Sequence, residues 1–430
     1  MHELINMDFI QELKWRNMLH DTTPGIEEVM QKEKIVGYIG FDPTAPSMTI
    51  GNYVQIMLLK LFQLSGHTPV ILMGGATGRI GDPSGKDKER QLKSYDELDS
   101  NLQHQLNQVR KFLDFEGPNA AIIVNNLDFY KEMDVLSFLR NVGKTLTVSY
   151  MMSKDSVKNR LETGLSFTEF SYQLLQAYDF QCLYEKYDCK VQMGGSDQWG
   201  NITSGTEFIR RNTENGKAYA VTTPLLTKSD GSKFGKSEAG NIWLDGNMTS
   251  PYKFYQFWLN ADDADTAKFT RYFTLKSQDE VKKLEAEYAE DPRMLKKLLA
   301  EELTERVHGK EALVAVGQVS EILFSKKASN EQLKAMTVST LEMVGNEIPS
   351  YTVEKALIQN GVSLIDLISE HTQILASKSE ARRAIKGNAI AVNKVKIADE
   401  AATVGEADIL QGKYLMLENG KKNKFLIALS

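Results

Sequence analysis

IVGYIGFDPTAPSMTIGNYVQIMLLKLF, residues 35–62, reads as a strand, a turn and a helix in direct succession. Ile35 to Ile39 is an apolar run of strand length, Gly40 to Asn52 is crowded with Gly, Pro, Thr and Ser, and the apolar residues that follow fit a helix. Pro69 to Met73, Ala120 to Val124 and Lys190 to Met193 are similar runs that end in turn residues and lead into helical patterns. The alternation predicts an α/β fold, a Rossmann-like parallel sheet with crossover helices. Ligands of such sheets bind beyond the carboxyl ends of the strands. A site is therefore expected among Gly40 to Asn52, Gly74 to Lys86, Asn125 to Asp128 and Gly194 to Gly200.

The chain has 430 residues, too long for one typical domain, and its 42% hydrophobic and 25% charged residues suit a soluble globular protein. A net charge of -6 argues against indiscriminate coating of nucleic acid, so any basic surface must be local. Cys182 and Cys189 are too few for a disulfide scaffold and lack CxxC spacing, which predicts reduced thiols and a cytoplasmic protein. The N-terminus lacks the apolar core of a signal peptide, and no run approaches membrane-spanning length, so no membrane partner is expected.

The strand-bearing part is read as a catalytic domain over 1–248, with an insertion at about 127–165. Helical periodicity takes over in 249–323, as in MLKKLLAEELTERVHG with Met294, Leu295, Leu298, Leu299 and Leu303 on one face. Residues 324–350 read as a linker able to hold a short helix, and 351–430 as a small α+β domain. This last segment carries 11 Lys and Arg against 9 Asp and Glu, a net +2 on a chain that is otherwise acidic. In SKSEARRAIKGNAIAVNKVKI, a capping box from Ser377 to Glu380 opens a helix bearing Arg382, Arg383 and Lys386, Gly387 stops it, and a hairpin turns at Asn393-Lys394.

Five elements can carry chemistry. The turn after the first strand feeds a helix whose N-terminal N–H groups suit a triphosphate, with Thr49 and Asn52 in its first turn; the plain alternative is that Ser47 or Thr49 only caps a core helix. GGATGRIGDPSGKDKER, 74–90, lets the backbone approach a ligand and offers Arg79, Lys86 and Arg90 to phosphate, or it is an ordinary surface loop. It is not a P-loop, because Ile80 and Asp87 break that pattern. In SFTEFSYQLLQAYDF, a capping box from Ser166 to Glu169 starts a helix near Phe167, and Tyr172, Gln176 and Asp179 then share one face. That face either lines a polar pocket or meets solvent, the commoner fate of a polar stripe.

QMGGSDQWGN, 192–201, offers paired glycines, a carboxylate and an amide to a ribose and a purine, or is a short polar turn. Gln198 stands where a serine elbow would need glycine. TKSDGSKFGKSEAG sets Lys233 and Lys236 in a glycine-rich loop that can swing onto a triphosphate; by itself it is a solvated charge run. The six histidines lie outside all five elements, so no histidine-based metal cluster or catalytic triad is expected.

Together, GFDPTA, GGATGRIGDPSGK, SYQLLQAYDF, GGSDQWGN, KFGKS and the carboxyl-terminal segment resemble the class I aminoacyl-tRNA synthetases in their bacterial tyrosyl branch, over nearly the whole chain. The resemblance implies a tyrosine–tRNA ligase that makes tyrosyl-adenylate from L-tyrosine and ATP, with Mg2+ accompanying the ATP, and then charges tRNA(Tyr). It implies no protein-bound metal or prosthetic group, no editing domain, an S4-like RNA-binding tail, and a homodimer joined through the insertion. Tyr38 and Asp179 would bind the substrate hydroxyl, and Tyr172, Gln176, Asp82 and Gln198 the rest of the amino acid. Asp42 would lie near the ammonium and reacting centre, Asp197 on the ribose, and Gly40, Gly51, Asn52, Gly195 and Ser237 around ATP. Thr44, Thr49, Lys86, Arg90, Lys233 and Lys236 would meet the phosphates, and Arg382, Arg383, Lys386, Lys394 and Lys396 the tRNA.

The sequence departs from the family at its first signature, usually HIGH or HIGN, which here reads Thr49-Ile50-Gly51-Asn52. Thr49 replaces an imidazole donor, leaving a hydroxyl to donate in its place. TIGN also resembles the tryptophanyl branch, so tryptophan is the alternative substrate, and a catalytically inactive RNA-binding relative is the other alternative. The Tyr38 and Asp179 pair favours tyrosine, and the intact lysines favour an enzyme.

Overall fold

The computed structural model describes residues 7–84, 88, 91–162, 164–237, 240–325 and 327–430, with only the backbone of Ser237. Lys86 and Arg90, expected at phosphate, lie outside the described residues. The chain divides into two compact units, Met1–Thr249 with Phe257–Leu303, and Ser250–Gln256 with Thr304–Ser430.

The first unit is built on a six-stranded sheet. Its strands are β1 (Asp21–Thr22), β2 (Val36–Phe41), β3 (Thr68–Met73), β4 (Ile122–Asn125), β5 (Cys189–Gly195) and β6 (Tyr219–Thr223), in the spatial order β1-β6-β5-β2-β3-β4. Pairs β6-β5, β5-β2, β2-β3 and β3-β4 are parallel, and β1 adds an antiparallel edge. The four apolar runs of the sequence fall on β2, β3, β4 and β5. β6 was not expected: in YAVTT, Ala220, Thr222 and Thr223 are fully buried but too small or polar to mark a hydrophobic run.

Helices α1 (Ile50–Leu64), α2 (Tyr95–Val109), α3 (Phe167–Tyr187) and α4 (Trp199–Asn212) pack on this sheet or beside it. Nearly every apolar residue of α1 is buried, because it is the crossover between β2 and β3. From β2 the chain builds outward to β3 on one side, and β5 lies on the other. This reversal opens a crevice beyond the carboxyl ends of β2 and β5.

The second unit holds a five-stranded sheet made of β7 (Ser350–Val353), β8 (Ile390–Val392), β9 (Val395–Lys396), β10 (Tyr414–Asn419) and β11 (Asn423–Leu429), in the order β9-β8-β10-β11-β7. Helix α5 (Lys378–Lys386) buries Ala381 and Ile385 in its core. Ser377 caps α5 by accepting from the Glu380 N–H, while the Glu380 carboxylate reaches the Ala376 N–H. The left-handed residue after the helix is Asn388 (φ 55), one position beyond the expected Gly387. Asn393 and Lys394 both have positive φ, 48 and 70, as a two-residue hairpin between β8 and β9 requires. The stretch 324–350, read as a linker, contains helices Asn330–Lys334 and Val338–Glu347. The helical stretch 249–323 is shared between the two units.

Candidate active site

A cavity of about 680 Å³ fills the crevice of the first unit. Tyr38, Gly40, Asp42 and Thr44 reach it from the end of β2, Gly51 and Asn52 from the start of α1, and Asp82 from the glycine loop. Tyr172, Gln176 and Asp179 line it from α3, Gly195 from the end of β5, Asp197 and Gln198 from just beyond it, and Lys233 from the lysine loop. The polar stripe of α3 thus faces the cavity. The glycine loop can lie so close because residue 74 has no side chain: a Cβ there would stand 2.1 Å from Asp42 Oδ1.

The closed end is a chain of hydrogen bonds. Tyr172 Oη donates to Asp42 Oδ2 at 2.8 Å, and Thr77 Oγ1 donates to Asp42 Oδ1 at 2.7 Å. Asn126 Nδ2 donates to Thr77 Oγ1 and to Asp179 Oδ2, each at 2.9 Å, and Tyr130 Oη donates to Asp179 Oδ1 at 2.7 Å. Burial pushes Asp179 up to about 8; the bonds from Tyr130 and Asn126 act against that rise, and nearby Asp42 adds to it. Burial, then the neighbouring carboxylate, holds Tyr38 and Tyr172 well above the ordinary phenol range. Tyr38 is wholly buried, and its hydroxyl has no hydrogen-bond partner among the described residues. A sealed, unpaired phenol beside a buried carboxyl group is costly unless a ligand pairs with it.

Towards the cavity mouth, Gln198 Nε2 donates to Asp82 Oδ2 at 2.8 Å, and buried Asn201 Nδ2 lies 3.2 Å from both Gln176 Oε1 and Gln198 Oε1. Burial, then Asp82, raises the pKa of Asp197. Asn126 and Asn201 fall in stretches marked from the sequence but were given no role of their own, and Tyr130 lay outside every stretch marked for a site. Each is one polar residue in a turn or helix start, with no local pattern to mark it.

The lysine loop is moored by a residue between its lysines. Phe234 is buried against Phe257, Trp258, Phe269 and Phe273, with ring centroids 5.1 to 5.8 Å away. Gly235 (φ 91) follows, where a Cβ would stand 3.3 Å from the Gly51 N–H nitrogen. The loop therefore lies against the first turn of α1. Lys233 lines the cavity, whereas Lys236 and the Ser237 backbone form a short exposed pairing outside it.

Two expected contacts differ. Thr49 caps α1: its hydroxyl accepts from the Asn52 N–H at 3.3 Å and donates to Asn52 Oδ1 at 2.9 Å, and it does not line the cavity. The capping box uses the hydroxyl as acceptor, and the bond to Asn52 Oδ1 uses the donor proposed for phosphate. Lys394, expected on tRNA, is tied inward: its side chain is 7% exposed, and its ammonium donates to Glu418 at 2.7 Å and to the Ile322 carbonyl at 2.8 Å. These bonds hold a residue with positive φ in the hairpin. Arg382, Arg383 and Lys386 are exposed on α5, with Lys386 paired to Glu400, and exposed Lys396 donates to the Asn388 carbonyl.

Residues 30–325 match the family of class I tRNA synthetases for tryptophan and tyrosine (W and Y), and residues 340–427 match the tyrosine–tRNA ligase SYY-like C-terminal domain. The tyrosine–tRNA ligase of Porphyromonas gingivalis is 52% identical over 429 residues, 98% of this chain and 99% of that protein. The chain belongs to the tyrosyl-tRNA synthetases of class I. The tyrosine–tRNA ligase of Cytophaga hutchinsonii is also 52% identical, with 98% and 99% coverage. A solved tyrosyl-tRNA synthetase, the C-terminally truncated mitochondrial protein of Aspergillus nidulans, superposes with a TM-score of 0.65 at 31% identity, over 74% of this chain and 94% of that one. The Archaeoglobus fulgidus synthetase, solved with L-tyrosine, is 16% identical with a TM-score of 0.55, over 71% of this chain and all of that one, and shares the fold. The cavity of this tyrosyl-tRNA synthetase lies at the β2/β5 switch point of its sheet.

Proposed function

We propose that this cavity is where the chain, a tyrosine–tRNA ligase using ATP as substrate, forms tyrosyl-adenylate and passes tyrosine to tRNA(Tyr). The observation that carries the reading is the buried, unpaired Tyr38 hydroxyl beside Asp179, a site that a phenol completes and a phenyl ring leaves unsatisfied. Tyr38 and Asp179 bind the substrate hydroxyl. Tyr172, Gln176, Asp82, Gln198 and Asp42 hold its ammonium and carboxylate end, and Asp197 takes the ribose.

The substrate carboxylate attacks the α-phosphorus of ATP, and pyrophosphate leaves without any protein nucleophile. Catalysis then rests on alignment and on charge stabilisation, from the α1 N-terminus, Gly40, Gly51, Asn52 and Gly195 around the nucleotide, Thr44, and Lys233 with Lys236, Ser237, Lys86 and Arg90. Thr49 contributes by fixing the helix start. Mg2+ arrives with the ATP; among the described residues no three carboxylate, histidine or cysteine side chains gather to hold a metal. The terminal adenosine hydroxyl of tRNA then displaces AMP.

The first unit is the catalytic body, and the second unit takes the body of the tRNA, with Arg382, Arg383, Lys386 and Lys396 facing phosphates. Residues 249–323 complete the grip on the anticodon arm, 324–350 join this helical part to the tail, and 351–430 form the S4-like module. Among the described residues no helix is long and apolar enough to cross a membrane, and a cytoplasmic setting suits two reduced, buried thiols. Charging of bacterial tRNA with labelled tyrosine tests the reading. Charging with tyrosine and not tryptophan is expected; charging with tryptophan, or with neither, would overturn it.

We further propose that the chain is a homodimer joined through 127–165. Val135 and Leu136 are 72% and 76% exposed, Phe167 at the start of α3 is 74% exposed, and Leu139, Val148 and Leu161 are exposed on the helices between. Leu136→Asp with Phe167→Asp should convert the dimer to a monomer in analytical ultracentrifugation. A wild-type monomer at micromolar concentration would contradict the proposal.

A further inference from the structure

Asp179 is held at both oxygens, Oδ2 by Asn126 and Oδ1 by Tyr130. A carboxylate oxygen has two acceptor positions, so each keeps one free after these bonds. Two anchors on opposite oxygens also fix the plane of the group, and with it the direction of the free positions. The anchors differ in their other duties. Asn126 also accepts from the Ala76 N–H at 2.7 Å and donates to Thr77, so it ties the glycine loop to the strand ends. The Tyr130 hydroxyl also lies 3.0 Å from the Leu175 carbonyl, on the same helix as Asp179. Its ring is set by Tyr178 and Phe138, with centroids 5.7 and 6.4 Å away.

We propose that Tyr130 is a positioning residue for the amino-acid pocket: its hydroxyl fixes the Asp179 carboxyl group so that a free acceptor position faces the substrate phenol. The inference rests on the reading of Asp179 as the group that binds that phenol. Tyr130 lies just beyond β4, at the start of the segment 127–165, and does not line the cavity itself. Its effect therefore passes through Asp179.

The groups facing Asp179 are Tyr38 on β2, Asp42 just after it, Tyr130, and Tyr172, Tyr178 and Cys182 on α3. The phenols and the thiol are all held above their ordinary ranges, mainly by burial, so they stay protonated where Asp179 titrates. The bond from Tyr130 favours the ionised carboxylate, and removing it moves the Asp179 midpoint upward.

Tyr130→Phe in the full-length enzyme should raise KM for tyrosine about tenfold, as expected for loss of a bond to a charged group, with kcat and KM for ATP nearly unchanged. The acid limb of kcat/KM for tyrosine should shift to higher pH, a change that loosened packing would not produce. The limb should disappear in Asp179→Asn with or without the Tyr130 change. If Tyr130→Phe fails to fold, 3-fluorotyrosine at position 130, a stronger donor, should move the limb to lower pH. An unchanged limb and unchanged KM in the folded variant would overturn the inference. Should Asp179→Ala also leave tyrosine kinetics intact, the reading of the pocket fails; if only the Tyr130 change is silent, the role of Tyr130 alone fails.

Discussion

Asp179→Ala should raise KM for tyrosine about 10- to 100-fold and bring the rates with tyrosine and phenylalanine closer together, measured by steady-state pyrophosphate exchange. The lost bond is to a buried group, worth about 1.5–3 kcal/mol when charged, and the Tyr38 hydroxyl is left as the only phenol partner. Phenylalanine should gain or stay level, because it never satisfied Asp179. The tyrosyl-tRNA synthetases are themselves the known example of rejecting an analogue that lacks the hydroxyl without an editing site, so that precedent comes from the family. Unchanged constants for both amino acids would remove Asp179 from the site.

The same residue has a pH signature in the substrate-free protein. Asp179 is raised from 3.8 to about 8 in the folded chain, so the folded state keeps a proton that the unfolded state gives up above pH 4. Its contribution to stability is full below pH 4 and is lost as pH rises towards 8. Asp179→Asn should flatten the fall in urea midpoint across that window; an equal slope in both proteins would count against a buried, protonated Asp179.

Lys233→Ala should lower kcat for adenylate formation about 10²- to 10³-fold with little change in KM for ATP, the scale seen when one preorganised charge-stabilising group is removed. Lys233 is exposed on a loop whose fixed point is Phe234, so it can bind late, as charge builds on the leaving pyrophosphate. Lys236 lies outside the cavity as the structure stands, and it reaches the phosphates only if the loop shifts. Its variant should show the same split between kcat and KM. A rise in KM for ATP at constant kcat would show that these lysines hold ground-state nucleotide instead.

Much of the first unit was legible in the sequence because its central strands are short apolar runs that end in turn residues. β2 to β5 fall where the runs predict, whereas β6, YAVTT, has Ala and two Thr among its five residues and carries too little apolar signal. The face of α3 that bears Tyr172, Gln176 and Asp179 was readable by spacing, but its direction was not, since a polar stripe more often meets water. Its orientation depends on β2 and the glycine loop, which lie far away in sequence.

The errors have the same origin. Lys394 was read as a free cation because Glu418 and Ile322, which hold it, are 24 and 72 residues distant. Thr49 was read as a phosphate donor, yet Asn52, three residues on in the same motif, takes its hydroxyl. The TIGN string is thus a self-contained cap, which leaves the helix N–H donors and the loop lysines as the groups proposed to face phosphate. Asn126 fell in a stretch marked only as a turn after a strand, and Tyr130 gave no local signal; the packing of that turn on α3 brings both to Asp179.

The central claim is that a phenol completes the Tyr38 and Asp179 pair. Exchange of labelled pyrophosphate into ATP by the intact protein, with tyrosine, phenylalanine and tryptophan in parallel, tests it most directly. Rapid exchange with tyrosine, and kcat/KM lower by at least about 10⁴ with phenylalanine and tryptophan, is the expected result. Comparable exchange with phenylalanine, or exchange driven by tryptophan, would contradict it.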